Sequence, residues 1–112
     1  MSIISYDDFS KVDFRSGVVI KAEEFPKAKK PAYKIWVDFG EEIGVKQTSA
    51  QVTKHYTPDN LVGRLVVGCV NLGSRNIAGF MSEFLLVGFP DDKGDVCLIT
   101  ADPAVPRGKR LF

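Results

Sequence analysis

The sequence is short of the residues that catalytic and metal centres are usually built from. It has one histidine, His55, and two cysteines, Cys69 and Cys97. It contains no G-x-S-x-G elbow, no G-x-x-x-x-G-K-[ST] phosphate loop and no G-x-G-x-x-G dinucleotide fingerprint. His55 stands in a polar turn and reads as a surface residue rather than a general base. Two distant cysteines and one histidine fall short of a zinc ligand set, so no metal and no other cofactor is expected. Acid pairs such as Asp91-Asp92 fall in turns, where solvated carboxylates belong. No catalytic residue emerges, and the chain reads as a binding protein rather than an enzyme.

Long apolar runs are also missing. None approaches the ~20 residues that span a bilayer. The start, Met1-Ser2-Ile3-Ile4-Ser5-Tyr6-Asp7-Asp8, lacks a basic region followed by an apolar one. A cytoplasmic protein without membrane insertion is the expectation. Cys69 and Cys97 sit singly in apolar runs, which fits reduced core thiols better than a bridge. Charge of one sign is lacking too, since 15 basic and 14 acidic residues leave a net +1. Bulk electrostatics therefore does not draw the chain onto a polyanion, and any nucleic-acid contact rests on local clusters. Lys27, Lys29, Lys30 and Lys34 form one cluster, and Arg107, Lys109 and Arg110 another.

What is present is β-pattern and turn chemistry. With 112 residues, 45% of them hydrophobic, the chain is long enough for one core and is read as one domain, 1–112. Ser5-x-x-Asp8 is a capping pattern that starts a helical turn, and Thr57-Pro58 starts a second. From Val12 to Phe25, Val12, Phe14, Val18 and Ile20 share one parity, with Gly17 permitting a bend, which predicts a long first strand. Phe25-Pro26-Lys27-Ala28-Lys29-Lys30-Pro31 must be a loop. Tyr33, Ile35, Val37 and Phe39 then alternate with Lys34, Trp36 and Asp38. Gly40-Glu41-Glu42 turns the chain into a returning strand, Ile43 to Thr48.

If that turn pairs Phe39 with Ile43, Trp36 lies opposite Lys46 and Lys34 opposite Thr48, away from the core face. Arg64 to Val70 is an apolar strand, Asn71 to Ser82 a glycine-containing loop, and Phe84 to Phe89 and Val96 to Thr100 two final strands. Several short strands without βα alternation predict an all-β fold. A five-stranded OB-fold Greek-key barrel, with short helical turns and terminal extensions, fits this count.

One constellation carries possible chemistry. Lysines neutralise phosphates, Trp36 can stack a base, and Asn71, Arg75 and Ser82 offer directional hydrogen bonds to a nucleotide. The bland alternative is that the lysines are solvated and Trp36 covers the barrel. Phe80-Met81 has three readings: packing on the core, a subunit contact, or an adaptable apolar surface for peptides.

Several stretches resemble the tRNA-binding domain family found in the methionyl-tRNA synthetase appendage and in free-standing relatives. They are Phe9-x-Lys11-Val12-Asp13-Phe14-Arg15-x-Gly17, Ala32-Tyr33-Lys34 leading to Val37-Asp38-Phe39-Gly40, and Asn71-x-x-x-Arg75-x-x-x-Gly79-x-x-Ser82. Within that family, Lys30-Pro31-Ala32-Tyr33-Lys34, Ser49-Ala50-Gln51 and Ile77-Ala78-Gly79-Phe80 are similar to the export-associated chaperones of the CsaA type. The resemblance implies an OB-fold and a homodimer built partly from extensions at 1–10 and 103–112. It implies that the Asn71, Arg75 and Ser82 loop, with Lys34, lies on the RNA-binding side, to which the residue pattern adds Lys30, Trp36 and Lys46 as expected RNA contacts. It also implies capture of unfolded or export-bound polypeptides in apolar pockets on the dimer, and the residue pattern offers Phe80 and Met81 as the peptide contacts. One departure bears on RNA: Arg75 is the only charge between Asn71 and Ser82, where tRNA-binding relatives are commonly more basic. RNA binding would then be weak, salt-sensitive and shape-directed.

Overall fold

Tyr33, Ile35, Val37 and Phe39 alternate with polar neighbours, and in the computed structural model, which describes Met1–Phe112, all four are buried. They line the inside of a nearly closed five-stranded antiparallel barrel. In chain order the elements are α1 (Tyr6–Ser10), β1 (Phe14–Glu24), β2 (Tyr33–Asp38), β3 (Val45–Ala50), α2 (Pro58–Leu61) and β4 (Leu65–Cys69). There follow β5 (Arg75–Ile77), β6 (Phe80–Ser82), β7 (Leu85–Leu86), β8 (Gly88–Pro90) and β9 (Val96–Leu98). The main sheet runs β3-β2-β1-β4-β7, as the OB-fold expectation requires. No helix is long and apolar enough to cross a membrane.

Both helices start where their caps predict. Ser5 and Asp8 exchange side-chain-to-backbone hydrogen bonds, as do Thr57 and Asn60, with Pro58 opening α2. Leu61, on α2, is fully buried and plugs the core.

Strand β1 serves two partners: Phe14 to Val18 pair with β4, and Val18 to Glu24 pair with β2. A register shift between Val19 and Lys21 bends it there. Ahead of the bulge Gly17 and Val19 face inward, so the shared parity of Val18 and Ile20 marks the outer side; beyond it the inward parity switches, and Ala22 packs on the core. Gly17 matters for space rather than for the bend. A Cβ there would collide with Val37 Cγ1 and lie 2.8 Å from Phe39 Cδ1. Gly68 gives the same relief on β4, where a Cβ would lie 2.8 Å from both Phe39 Cζ and Phe84 Cδ2. Between these glycines the Phe39 and Phe84 rings meet edge to face at 4.9 Å.

The barrel closes where β3 meets the segment Ser82–Phe84. Glu83 N–H donates to the Gln47 carbonyl (2.8 Å), and Thr48 Oγ1 donates to the Phe84 carbonyl (2.7 Å).

Two further sequence expectations are corrected. The β2–β3 register is one residue away from the expected pairing. Phe39 N–H donates to Gly44 O (3.0 Å), because Gly40 and Gly44 both take positive φ (88° and 83°) and lengthen the turn to Gly44. Trp36 therefore faces Gln47, Lys34 faces Ser49, and Lys46 faces Val37 on the barrel's inner side. The second correction is the stretch Asn71 to Ser82, expected as a loop: its second half is a hairpin, β5–β6, turning at Ala78 and Gly79 with φ of 49° and 84°.

Candidate ligand-binding faces

The outer face of β2 carries Lys34 and Trp36, and the β5–β6 hairpin docks beside it. Phe80 is the anchor of that hairpin. Its ring lies 5.6 Å from Phe25 and 5.8 Å from Trp36, edge to face in both cases. Lys34 Nζ sits 5.0 Å and 5.1 Å from the Phe25 and Phe80 ring centres, and Lys21 Nζ lies 4.6 Å from the Trp36 ring. Trp36 Nε1 donates to Gln47 Oε1 (3.2 Å), and Gln47 Nε2 donates to the Met81 carbonyl (2.9 Å). The result is a cation-aromatic patch in which Lys34 is placed to neutralise phosphate, while Lys21 is paired with Glu23 at 3.2 Å.

The remaining expected RNA contacts do not all join this patch. Asn71 spends its amide on the chain's own start: Oδ1 accepts from Asp13 N–H (2.9 Å) and Nδ2 donates to the Lys11 carbonyl (2.6 Å). Ser82 is buried, and its Oγ accepts from Ser49 N–H (2.9 Å). Arg75 is exposed at the start of β5, opposite Ser82. Lys46 lies across the sheet from Trp36, and Lys30 lines a separate groove. Lys34 and Trp36 are thus brought together, while Asn71 and Ser82 hold backbone in place. Sequence reasoning missed Lys21 and Phe25, and only the bulge in β1 and the register of β2 could have located them.

The groove has a volume of about 700 Å³. Ala32, Ala50, Val52, Leu86 and Val96 supply an apolar lining, and Lys27, Lys29 and Lys30 line it as well. Of the β5–β6 hairpin it takes Ile77 and Ala78 rather than Phe80 and Met81, and Leu85, 52% exposed, also lines it. Met81 points outward, 42% exposed. The stretches Ser49-Ala50-Gln51 and Ile77-Ala78 are where a sequence signal for this groove lay.

The C-terminal tail is strapped to β1. Gly108 N–H donates to Ser16 O (2.7 Å), and Leu111 N–H to Phe14 O (2.9 Å). Arg15, 8% exposed, donates to both Asp13 and Glu42 and to the Gly108 carbonyl (3.2 Å). Those carboxylate hydrogen bonds raise the guanidinium pKa above its ordinary value, so the charge is permanent. The cluster is a structural tie between β1, the β2–β3 turn and the tail. Ile3, Ile4, Tyr6, Leu111 and Phe112 stay exposed around it.

Comparison with known proteins is consistent with this architecture. Residues 14–110 match the family described as "Putative tRNA binding domain". A crystal structure of chaperone CsaA from Bacillus anthracis is similar at 40% identity and a TM-score of 0.92, covering 99% of this chain and 100% of that one. The CsaA chaperone protein from Picrophilus torridus is similar at 39% identity and 0.92, covering 98% and 100%. The methionine–tRNA ligase of Methanocaldococcus jannaschii is 36% identical over 96% of this chain, which spans only 16% of that enzyme's length. On the match over residues 14–110 and these relatives, the chain belongs to the tRNA-binding domain family.

Proposed function

We propose that this protein is a chaperone of the CsaA type that holds exposed apolar segments of non-native or export-bound polypeptides. The observation that carries this reading is the groove, apolar in its lining and about 700 Å³ in volume, which suits several apolar side chains of an extended segment. Lys27, Lys29 and Lys30 along it suit the acidic and carbonyl groups of such a segment. Likeness to the CsaA chaperones along the full length of both chains supports the same reading. The fate of Asn71 and Ser82 supports it further, since side chains committed to the protein's own backbone are poor donors to RNA. The working form is taken as a cytoplasmic homodimer, with Ile3, Ile4, Leu111 and Phe112 as apolar surface for the contact.

Leu85→Glu is the direct test, because the side chain lines the groove yet is 52% exposed and tolerates charge without loss of the fold. Affinity for a labelled unfolded polypeptide should fall about tenfold, the equivalent of roughly 1.4 kcal/mol. Unchanged affinity would remove the groove from the account.

A second reading, tRNA binding, is favoured by the Lys21, Lys34 and Trp36 patch and by the family itself. In that case Lys34→Gln with Arg75→Gln should lower the slope of log affinity against log salt by about 1.8. An unaltered slope would exclude both side chains as phosphate contacts.

A further inference from the structure

His55, Asp91 and Cys97 are distant in sequence, yet their ligand atoms lie within 4.8 Å of one another. His55 sits in the turn after β3, Asp91 heads the β8–β9 turn, and Cys97 is the middle residue of β9. The pairing of Phe89 with Cys97 and of Pro90 with Val96 fixes Asp91 relative to the thiol. Asp91 Oδ1 accepts from Lys93 N–H and Asp95 N–H, both at 2.9 Å. That leaves Oδ2 turned toward His55 Nε2 at 2.7 Å. Both cysteines are free, but only Cys69 is the core thiol expected of the pair; Cys97 is exposed, because it faces outward between Val96 and Leu98.

We propose that His55, Asp91 and Cys97 form a surface site for a divalent cation of the zinc class, with a fourth position open to solvent. The donor set selects the ion. One imidazole nitrogen, one thiolate and one carboxylate oxygen suit borderline-soft zinc or cobalt and are a poor match for magnesium or calcium, which take oxygen ligands.

The geometry needs little adjustment. Bond lengths of about 2.0–2.3 Å place the ligand atoms of a tetrahedral ion about 3.3–3.8 Å apart. The imidazole and carboxylate must therefore separate by roughly 0.6 Å, and the sulfur must approach by up to about 1.3 Å. Side chains exposed to 41% at His55 and 23% at Asp91 have room for both movements. The two backbone donors on Oδ1 hold the carboxylate in orientation, the outer support a ligand needs. Val96, next to Cys97 in β9, lines the groove, but neighbouring strand residues point to opposite faces and none of the three ligands lines it, so cation binding does not depend on what the groove holds.

Cobalt is the probe that reads the sulfur directly. Metal-free, reduced protein titrated with Co²⁺ should develop a thiolate-to-cobalt charge-transfer absorption that saturates at about one ion per chain and is displaced by Zn²⁺. Cys97→Ser should abolish that absorption, and His55→Ala should weaken Co²⁺ binding by about tenfold or more. Circular dichroism of both variants should match the parent, as the side chains are exposed. Absence of the charge-transfer band, or its survival in Cys97→Ser, would overturn the assignment.

Discussion

Replacing Phe80 with alanine separates a packing role from a ligand contact. The ring makes edge-to-face contacts with Phe25 and Trp36, each worth about 0.5–1.5 kcal/mol beyond simple burial. Lys34 over the ring adds about 0.5–1 kcal/mol. Full truncation of a buried phenylalanine costs about 3–5 kcal/mol, and this ring is half-buried. These contributions overlap, and a net loss of about 2 kcal/mol follows. At this chain length that corresponds to a fall in Tm of about 8 °C. Urea unfolding followed by far-ultraviolet circular dichroism should show a lower midpoint at unchanged m. Fluorescence of Trp36, the single tryptophan, reports the freed hairpin in the native baseline. A loss below about 0.5 kcal/mol, with polypeptide binding abolished, would refute the packing role and make Phe80 a ligand contact.

Met81→Ser, by contrast, should cost less than about 0.5 kcal/mol, because the side chain is 42% exposed; urea midpoints of the two variants compare them directly. Gly68→Ala should destabilise by about 1–3 kcal/mol through overpacking against Phe39 and Phe84, and a neutral result in thermal melts would mean that the rings give way freely. Arg15→Ala removes the ties to Asp13, Glu42 and the Gly108 carbonyl and loosens the tail; because Glu42 is exposed and Asp13 keeps Arg110 beside it, a loss of about 2 kcal/mol is expected, with faster proteolysis near Arg107, and intact resistance would contradict the tie. Burial, followed by the charge of Glu24, raises the pKa of Tyr33 above its ordinary value of about 10. Because the folded value is the higher one, this group's stabilisation is complete below pH about 10 and is lost as pH rises through the folded pKa. Tyr33→Phe should flatten that alkaline loss in stability measured by denaturant titration.

The parts of the fold that follow local rules were readable. Ser5 and Thr57 announced both helices, and strict alternation from Tyr33 to Phe39 identified the core face of β2. Register was not readable, because two glycines at positive φ lengthen the β2–β3 turn by a residue that composition alone does not count. A bulge likewise breaks the single parity of β1: Gly17 and Val19 face inward ahead of it and Ala22 beyond it, so no one alternation runs the length of the strand. For the candidate site the limit was tertiary. Asn71 and Ser82 look like free hydrogen-bonding side chains in sequence, and only the fold shows the backbone groups they satisfy. Likewise the groove draws on segments from Lys27 to Val96, and no local pattern joins them.

The central claim, that the primary ligand is an exposed polypeptide segment, is tested most directly by titrating the purified chain into a labelled unfolded polypeptide. Bulk tRNA is titrated in parallel, at low salt and at about 0.15 M. Apolar capture predicts polypeptide affinity that changes less than about threefold between the two conditions, while any tRNA affinity drops steeply as counterions compete. Tight tRNA binding that persists at about 0.15 M salt, with no polypeptide binding, would contradict the account and make the Lys34–Trp36 face the working surface.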